Sequence, residues 1–226
     1  MKKDAAFSVP TSSREYILKP AVTNIIGNLK NKTVLDVGCG NGYWTRFFRD
    51  HGARSTGIDI LKDQILLAKQ HDDGIAYKVS DASRFYAKGN FDIIFVDHVL
   101  SENKSVSTIV KILKNLTRSL KQGGVLVLSE MHPAVAHFPV TITTEKNYYY
   151  FKSPSKFIFD VKRADGSYAK VQDYHWTLTD YADFFTKSGL IIENIIEPHL
   201  DTVTDDPYLL VREKYPTHIL FRLRVR

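Results

Sequence analysis

The stretch Thr33-Val34-Leu35-Asp36-Val37-Gly38-Cys39-Gly40-Asn41-Gly42-Tyr43 decides the fold. A short apolar, β-branched run leads into three glycines at alternate positions, and residues 42–51 continue as a helical pattern. Strand, glycine turn and helix form the opening unit of a parallel sheet wrapped by helices. Glycines at 38, 40 and 42 let the backbone turn tightly and approach a ligand closely. The helix behind them presents unpaired N–H groups. In open α/β sheets, ligands bind just beyond the C-terminal ends of the strands.

Working outward, further strands are predicted at 54–58, 76–79, 91–96 and 124–129, with helices at 62–71 and 105–120. The last helix carries Val106, Ile109, Val110, Leu113, Leu116 and Leu120 at helical spacing. Lys121-Gln122-Gly123-Gly124 reads as its glycine-rich end. After Glu130 the rhythm changes. Residues 157–161 and 168–171 flank Ala164-Asp165-Gly166-Ser167, and Asp-Gly is a strong hairpin-turn signal. Residues 132–176 therefore read as an insertion carrying a β-hairpin. The α/β rhythm resumes with a helix at 181–188 and strands at 190–196 and 218–225, expected to be antiparallel neighbours. Residues 197–216, rich in Asp and Pro, read as the loop between them.

The 226 residues fit one domain, 1–226, with 1–30 as a helical cover. Apolar residues at 43% and charged residues at 25% are ordinary for a globular chain. No apolar run approaches the roughly 18 residues of a membrane span, and the first residues lack the apolar segment of a secretory signal. Cys39 is the one cysteine, so no intrachain disulfide can form. Together these features predict a cytoplasmic location. The net charge of +6 is spread over the chain. Its one local concentration, Arg222, Arg224 and Arg226, reads as a solvated strand end, so no nucleic-acid partner is expected.

Each of the first four strands also delivers a polar residue at the edge where ligands bind. Asp59 ends the second strand, 21 residues after Gly38, where a carboxylate can accept from both hydroxyls of a ribose. Asp81, in Ser80-Asp81-Ala82, is placed to meet the exocyclic amine of an adenine. Asp97-His98 ends the fourth strand. Any one aspartate could be a loop residue or a helix cap, but the recurrence at successive strand ends points to a site.

On these residues the chain resembles the class I S-adenosylmethionine-dependent methyltransferases, and within them the small-molecule type. The resemblance covers about 16–223. Val34 to Gly42 looks like the family's glycine motif, Asp59 its ribose-binding acid, and Ser80-Asp81-Ala82 its adenine-contacting turn. Residues 91–100 resemble its fourth-strand motif, and 120–126 its turn into the fifth strand. The resemblance implies a Rossmann-like seven-stranded sheet of order 3-2-1-4-5-7-6, strand 7 antiparallel. It implies S-adenosylmethionine as cofactor, contacted by Tyr16, Asp36, Gly38, Cys39, Gly40, Asn41, Gly42, Asp59, Ile60, Asp81, Ala82, Asp97 and His98. The segment Ser13 to Pro20 resembles the helix that folds over the cofactor, bringing Arg14 and Tyr16 to it. The competing nicotinamide-dinucleotide fingerprint would place a glycine at position 43, which is Tyr43. Asp36 beside a pyrophosphate would also be repelled, whereas it suits a cationic amino group.

A methyl transfer is an in-line displacement, in which alignment does much of the work and a base helps an acceptor that must lose a proton. The candidate bases are His132, His175 and His98 in that order, with Asp97 and Glu130 as alternatives. Histidine titrates in the useful range, although histidines are more often structural. The aromatic residues of the insertion, Tyr148 to Phe151, Phe157, Phe159, Tyr174 and Trp176, are expected to line an acceptor pocket; a cross-strand aromatic core is the other account. No His and carboxylate spacing suggests a metal site. A small-molecule acceptor is expected. An RNA- or protein-directed methyltransferase and a non-catalytic cofactor-binding regulator are the competing functions.

Overall fold

The computed structural model describes residues 13–71, 74–137, 149–162, 168–200, 205 and 207–226. Its strands are β1 (Thr33–Val37), β2 (Arg54–Asp59), β3 (Ala76–Val79), β4 (Phe91–Asp97), β5 (Leu120–Met131), β6 (Ser155–Lys162), β7 (Tyr168–His175), β8 (Leu190–Ile196) and β9 (His218–Val225). Its helices are α1 (Lys19–Ile26), α2 (Tyr43–Asp50), α3 (Lys62–Lys69), α4 (Val106–Ser119), α5 (Leu178–Lys187) and α6 (Pro207–Lys214). Seven strands form one sheet in the order β3-β2-β1-β4-β5-β9-β8. β9 is antiparallel to both neighbours, and β6 and β7 pair as a separate antiparallel hairpin. With the hairpin strands set aside, this is the expected order. The Asp-Gly turn at 164–167 lies outside the described residues.

Alternation along the central strands explains why both faces of the sheet are covered. Leu35, Val37, Ile94, Val96, Leu126 and Leu128 face one way, against Ile109, Ile112, Leu113 and Leu116 of α4 and Phe184 and Phe185 of α5. Val34, Ile93, Phe95, Val125 and Val127 face the other way, against α1 and the aromatic side of α2, Trp44, Phe47 and Phe48. Strands buried on both faces read as near-continuous apolar runs. In register, Val37 stands level with Ile58 and with Val96, so β1, β2 and β4 end together at one edge.

Three readings need correction. The glycines at 123 and 124 do not end α4. The helix stops at Ser119, and Leu120 is already extended, with φ −70° and ψ 143°. Pairing with β4 then slips between Phe91–Leu120 and Ile93–Val125, so the glycines belong to an irregularity inside β5. The segment read as a loop contains α6, begun by Pro207 in the first turn, where proline is tolerated. Its Leu209 packs with Ile17 and Leu200. Finally, the aromatic insertion does not line a large pocket. Phe157 and Trp176 are core residues, and Phe151 is 92% exposed. Trp176 packs edge-on against Phe184 and donates its indole N–H to Asn103 O at 3.1 Å. Tyr148 and the Phe159 side chain lie outside the described residues.

Candidate active site

At the C-terminal edge of β1, β2, β3 and β4 the chain encloses a cavity of about 510 Å³. One wall is the glycine loop. Gly38 has φ +73°, and a Cβ there would meet Val99 Cγ2 at 2.4 Å, so glycine is required. Gly38 N and Cys39 N both donate to Ile58 O, at 2.8 and 3.0 Å, which folds the loop back over β2. Asp59 completes it: Oδ2 accepts from Gly40 N at 2.9 Å and Oδ1 from Leu61 N at 2.8 Å. The carboxylate thus ties two loops together at the mouth of the cavity.

Gly38, Cys39, Gly40, Asn41, Asp59 and Ile60 all line this space, as do Asp81, Ala82, Asp97 and His98 from β3 and β4. Asp81 Oδ1 accepts from Ser83 N at 2.8 Å; hydrogen bonding from the Ser83 side chain, with this backbone contact adding, holds its carboxyl below the ordinary range. Burial opposes ionisation of Asp97, yet His98, Arg14 and the Trp44 indole hold it below the ordinary range. Trp44 Nε1 donates to Asp97 Oδ2 at 2.9 Å.

Three expected contacts sit elsewhere. Asp36 is buried beneath the loop, outside the lining. Its Oδ2 accepts from the Thr45 hydroxyl at 2.6 Å, and burial pushes its carboxyl up to about 7, with Asp97 and Asp59 adding to the rise. Gly42 starts α2 in the left-handed region, packed on Tyr77 outside the lining. Tyr16 is 55% exposed and stands outside the lining. A short π-helical turn, Arg14–Leu18, brings Arg14 and Leu18 to the lining instead. Arg14 lies over the Tyr43 ring at 5.1 Å, and the Tyr43 hydroxyl donates to Glu15, so the N-terminal segment is fastened to α2.

The histidines separate sharply. Of His132, His175 and His98, only His98 lines the cavity. Met131 turns into it, and alternation along the chain turns His132 away. His132 Nε2 lies 2.8 Å from Glu197 Oε1, and its Nδ1 accepts from Ala134 N at 3.1 Å. His175 is 3% exposed, its Nε2 donates to Tyr150 O at 2.7 Å, and burial lowers its pKa. Glu130 is fully buried and outside the lining. Cys39 is a buried thiol whose pKa burial pushes up, which removes it as a nucleophile.

Residues passed over in the sequence complete the far wall: Asp173 of β7, Arg212 of α6, and Thr217 and His218 at the start of β9. An available signal pointed to the last pair. An antiparallel strand begins at the edge where its parallel neighbours end, and His218 pairs with Met131. Among the described residues no cluster of three His, Cys, Asp or Glu could hold a metal ion, and no helix is long and apolar enough to cross a membrane.

Comparison with known proteins agrees with this geometry. A family model described as a methyltransferase domain matches residues 28–182. An N-demethylindolmycin N-methyltransferase from Streptomyces griseus is 28% identical over 189 residues, spanning 79% of each chain. A ubiquinone biosynthesis O-methyltransferase from Glaesserella parasuis is 29% identical over 186 residues, 71% of this chain and 78% of that one. The crystal structure of an S-adenosylmethionine dependent methyltransferase from Mesorhizobium loti superposes with a TM-score of 0.66 at 22% identity, covering 91% of this chain and 96% of that one. The chain belongs to the methyltransferase domain family, and it is a class I S-adenosylmethionine-dependent methyltransferase.

Proposed function

We propose that this chain, acting as a single cytoplasmic domain, transfers a methyl group from S-adenosylmethionine to a small-molecule acceptor. The observation that carries this reading is one cavity that joins the glycine loop, the Asp59 clasp and the acidic strand ends to a second wall built from β7, α6 and β9. The residues fit the cofactor. Gly38 and Gly40 leave room for close backbone approach, and Asp59 keeps lone pairs for a ribose beyond the two N–H groups it already accepts. Asp81 and Ala82 would meet the adenine, and Asp97 the cationic amino group. Asp36, under the loop and held by the Thr45 hydroxyl, would make no contact of its own. When bound, the cofactor supplies a methyl group already activated on a sulfonium, so the chain's own task is alignment and exclusion of water.

The named activities of the N-demethylindolmycin and ubiquinone relatives favour a small acceptor. Calorimetric titration with S-adenosylhomocysteine tests the cofactor. Asp59→Ala is expected to weaken binding by roughly 1–3 kcal/mol, the range for losing buried hydrogen bonds to a charged group. A folded wild type that does not bind would remove the proposal at its base.

A further inference from the structure

His98 and His218 meet inside the cavity from different strands. Their ring centroids are 5.6 Å apart and the planes are nearly perpendicular, at 85°. His98 enters through backbone that non-glycine residues seldom adopt, with φ +52°. Such conformations gather at functional sites. Beside it, Asp97 Oδ1 lies 3.9 Å from His98 Nε2 and has no hydrogen-bond partner among the described residues. Trp44 occupies the other carboxylate oxygen. On the facing strand the Thr217 hydroxyl lies 2.9 Å from His218 Nδ1 and sets that ring's orientation. The matched family region ends at residue 182, so Thr217 and His218 stand outside it.

Building on the methyl-transfer reading, we propose that the acceptor is a hydroxyl compound, that His98 is the base that takes its proton, and that His218 is the positioning residue holding the His98 ring. A hydroxyl is a weak nucleophile until its proton leaves, so it is the acceptor for which a base repays its place. The acceptor O–H bond breaks, its proton moves to His98 Nδ1, and the oxygen lone pair forms the O–CH3 bond. The C–S bond of the sulfonium breaks with its electron pair left on sulfur as a thioether. The imidazolium then returns its proton to water. Asp97 stabilises that imidazolium, as a carboxylate beside a histidine base does. Burial, with His98 adding, pushes His218 down to about 3, so it stays neutral beside a protonated His98. The charged groups facing the pair are Asp97 on β4, Arg14 on the N-terminal turn and Arg212 on α6, with Asp173 and Glu102 on the same cavity wall.

The test starts with S-adenosylhomocysteine binding, which separates failure of the methyl-transfer reading from failure of the base assignment. Phenol, cyclohexanol, aniline and thiophenol are then offered with S-adenosylmethionine. At least one hydroxyl probe is expected to be methylated. His98→Asn suits the strained backbone, because asparagine tolerates positive φ. It is expected to lower kcat on that probe by about 10²-fold or more and to lose the acidic limb of kcat/KM. His218→Phe keeps a ring and is expected to lower kcat about 10-fold while retaining that limb. Independently of turnover, phenol added to the S-adenosylhomocysteine complex is expected to shift the ring nitrogen resonances of both histidines. Methylation of aniline or thiophenol alone, hydroxyl turnover that survives His98→Asn, silent ring resonances, or binding with no hydroxyl turnover would each overturn it.

Discussion

Glu130 shows how far the fold can move one residue's chemistry. It is fully buried near the end of β5, with Leu100 N donating to Oε1 at 2.8 Å. Burial, reinforced by Asp173 and Asp97, pushes its carboxyl up to about 8. A raised pKa means the folded chain keeps a proton that the unfolded chain releases above about 4.5. Its stabilising contribution is therefore complete below that pH and is lost as the pH rises through about 8. The slope approaches 1.4 kcal/mol per pH unit while only the unfolded form is ionised. Glu130→Gln keeps the acceptor for Leu100 and removes the titration. Its melting temperature should exceed that of wild type at pH 8 by more than it does at pH 5, in paired thermal melts; an unchanged difference would count against a buried protonated acid. At this scale the sequence named Glu130 and His98 as possible bases, but burial and side-chain direction had to assign their roles.

At the scale of elements, α5 shows local chemistry that is fully readable. Thr177 accepts from Asp180 N through its hydroxyl at 3.1 Å, and the Asp180 carboxylate accepts from Thr177 N at 2.8 Å. This reciprocal cap, in the sequence Thr-Leu-Thr-Asp, starts the helix three residues before the apolar pattern suggests. Thr177→Ala should cost about 1 kcal/mol, within a range of about 0.5–2, by denaturant unfolding. Because the helix packs Phe184 and Phe185 into the core away from the cavity, S-adenosylhomocysteine affinity should not change. The elements misread are those where local signals conflict. Two glycines after a helix suggest its end, yet pairing with β4 and β9 recruits that segment into β5. An Asp and Pro-rich stretch suggests a loop, yet Leu209 gains enough burial against Ile17 to hold α6.

For the whole molecule, the sheet is a platform between two apolar layers, and the cavity sits where neither layer extends past the strand ends. Its walls come from segments distant in sequence: Arg14, the glycine loop, Asp173 and His218. Ligand binding should therefore stabilise the entire fold. At 100 times its dissociation constant, S-adenosylhomocysteine should add about 2.7 kcal/mol. For a chain of this size that is roughly 5–11 °C in melting temperature. A scanning melt with and without ligand reads the shift directly, and Asp59→Ala should reduce it at the same ligand concentration.

The sequence alone determined the fold class, the strand order through its resemblance, and the sheet edge at which the cavity lies. Those features rest on short-range patterns: apolar alternation, glycines at 38, 40 and 42, and an acid at successive strand ends. Tertiary structure decided the far wall of the cavity. Whether His132, His175, His98 or His218 faces the cavity depends on strand registers and on β9 running antiparallel to β5. Pairing over nearly a hundred residues sets those registers, and no local pattern records them.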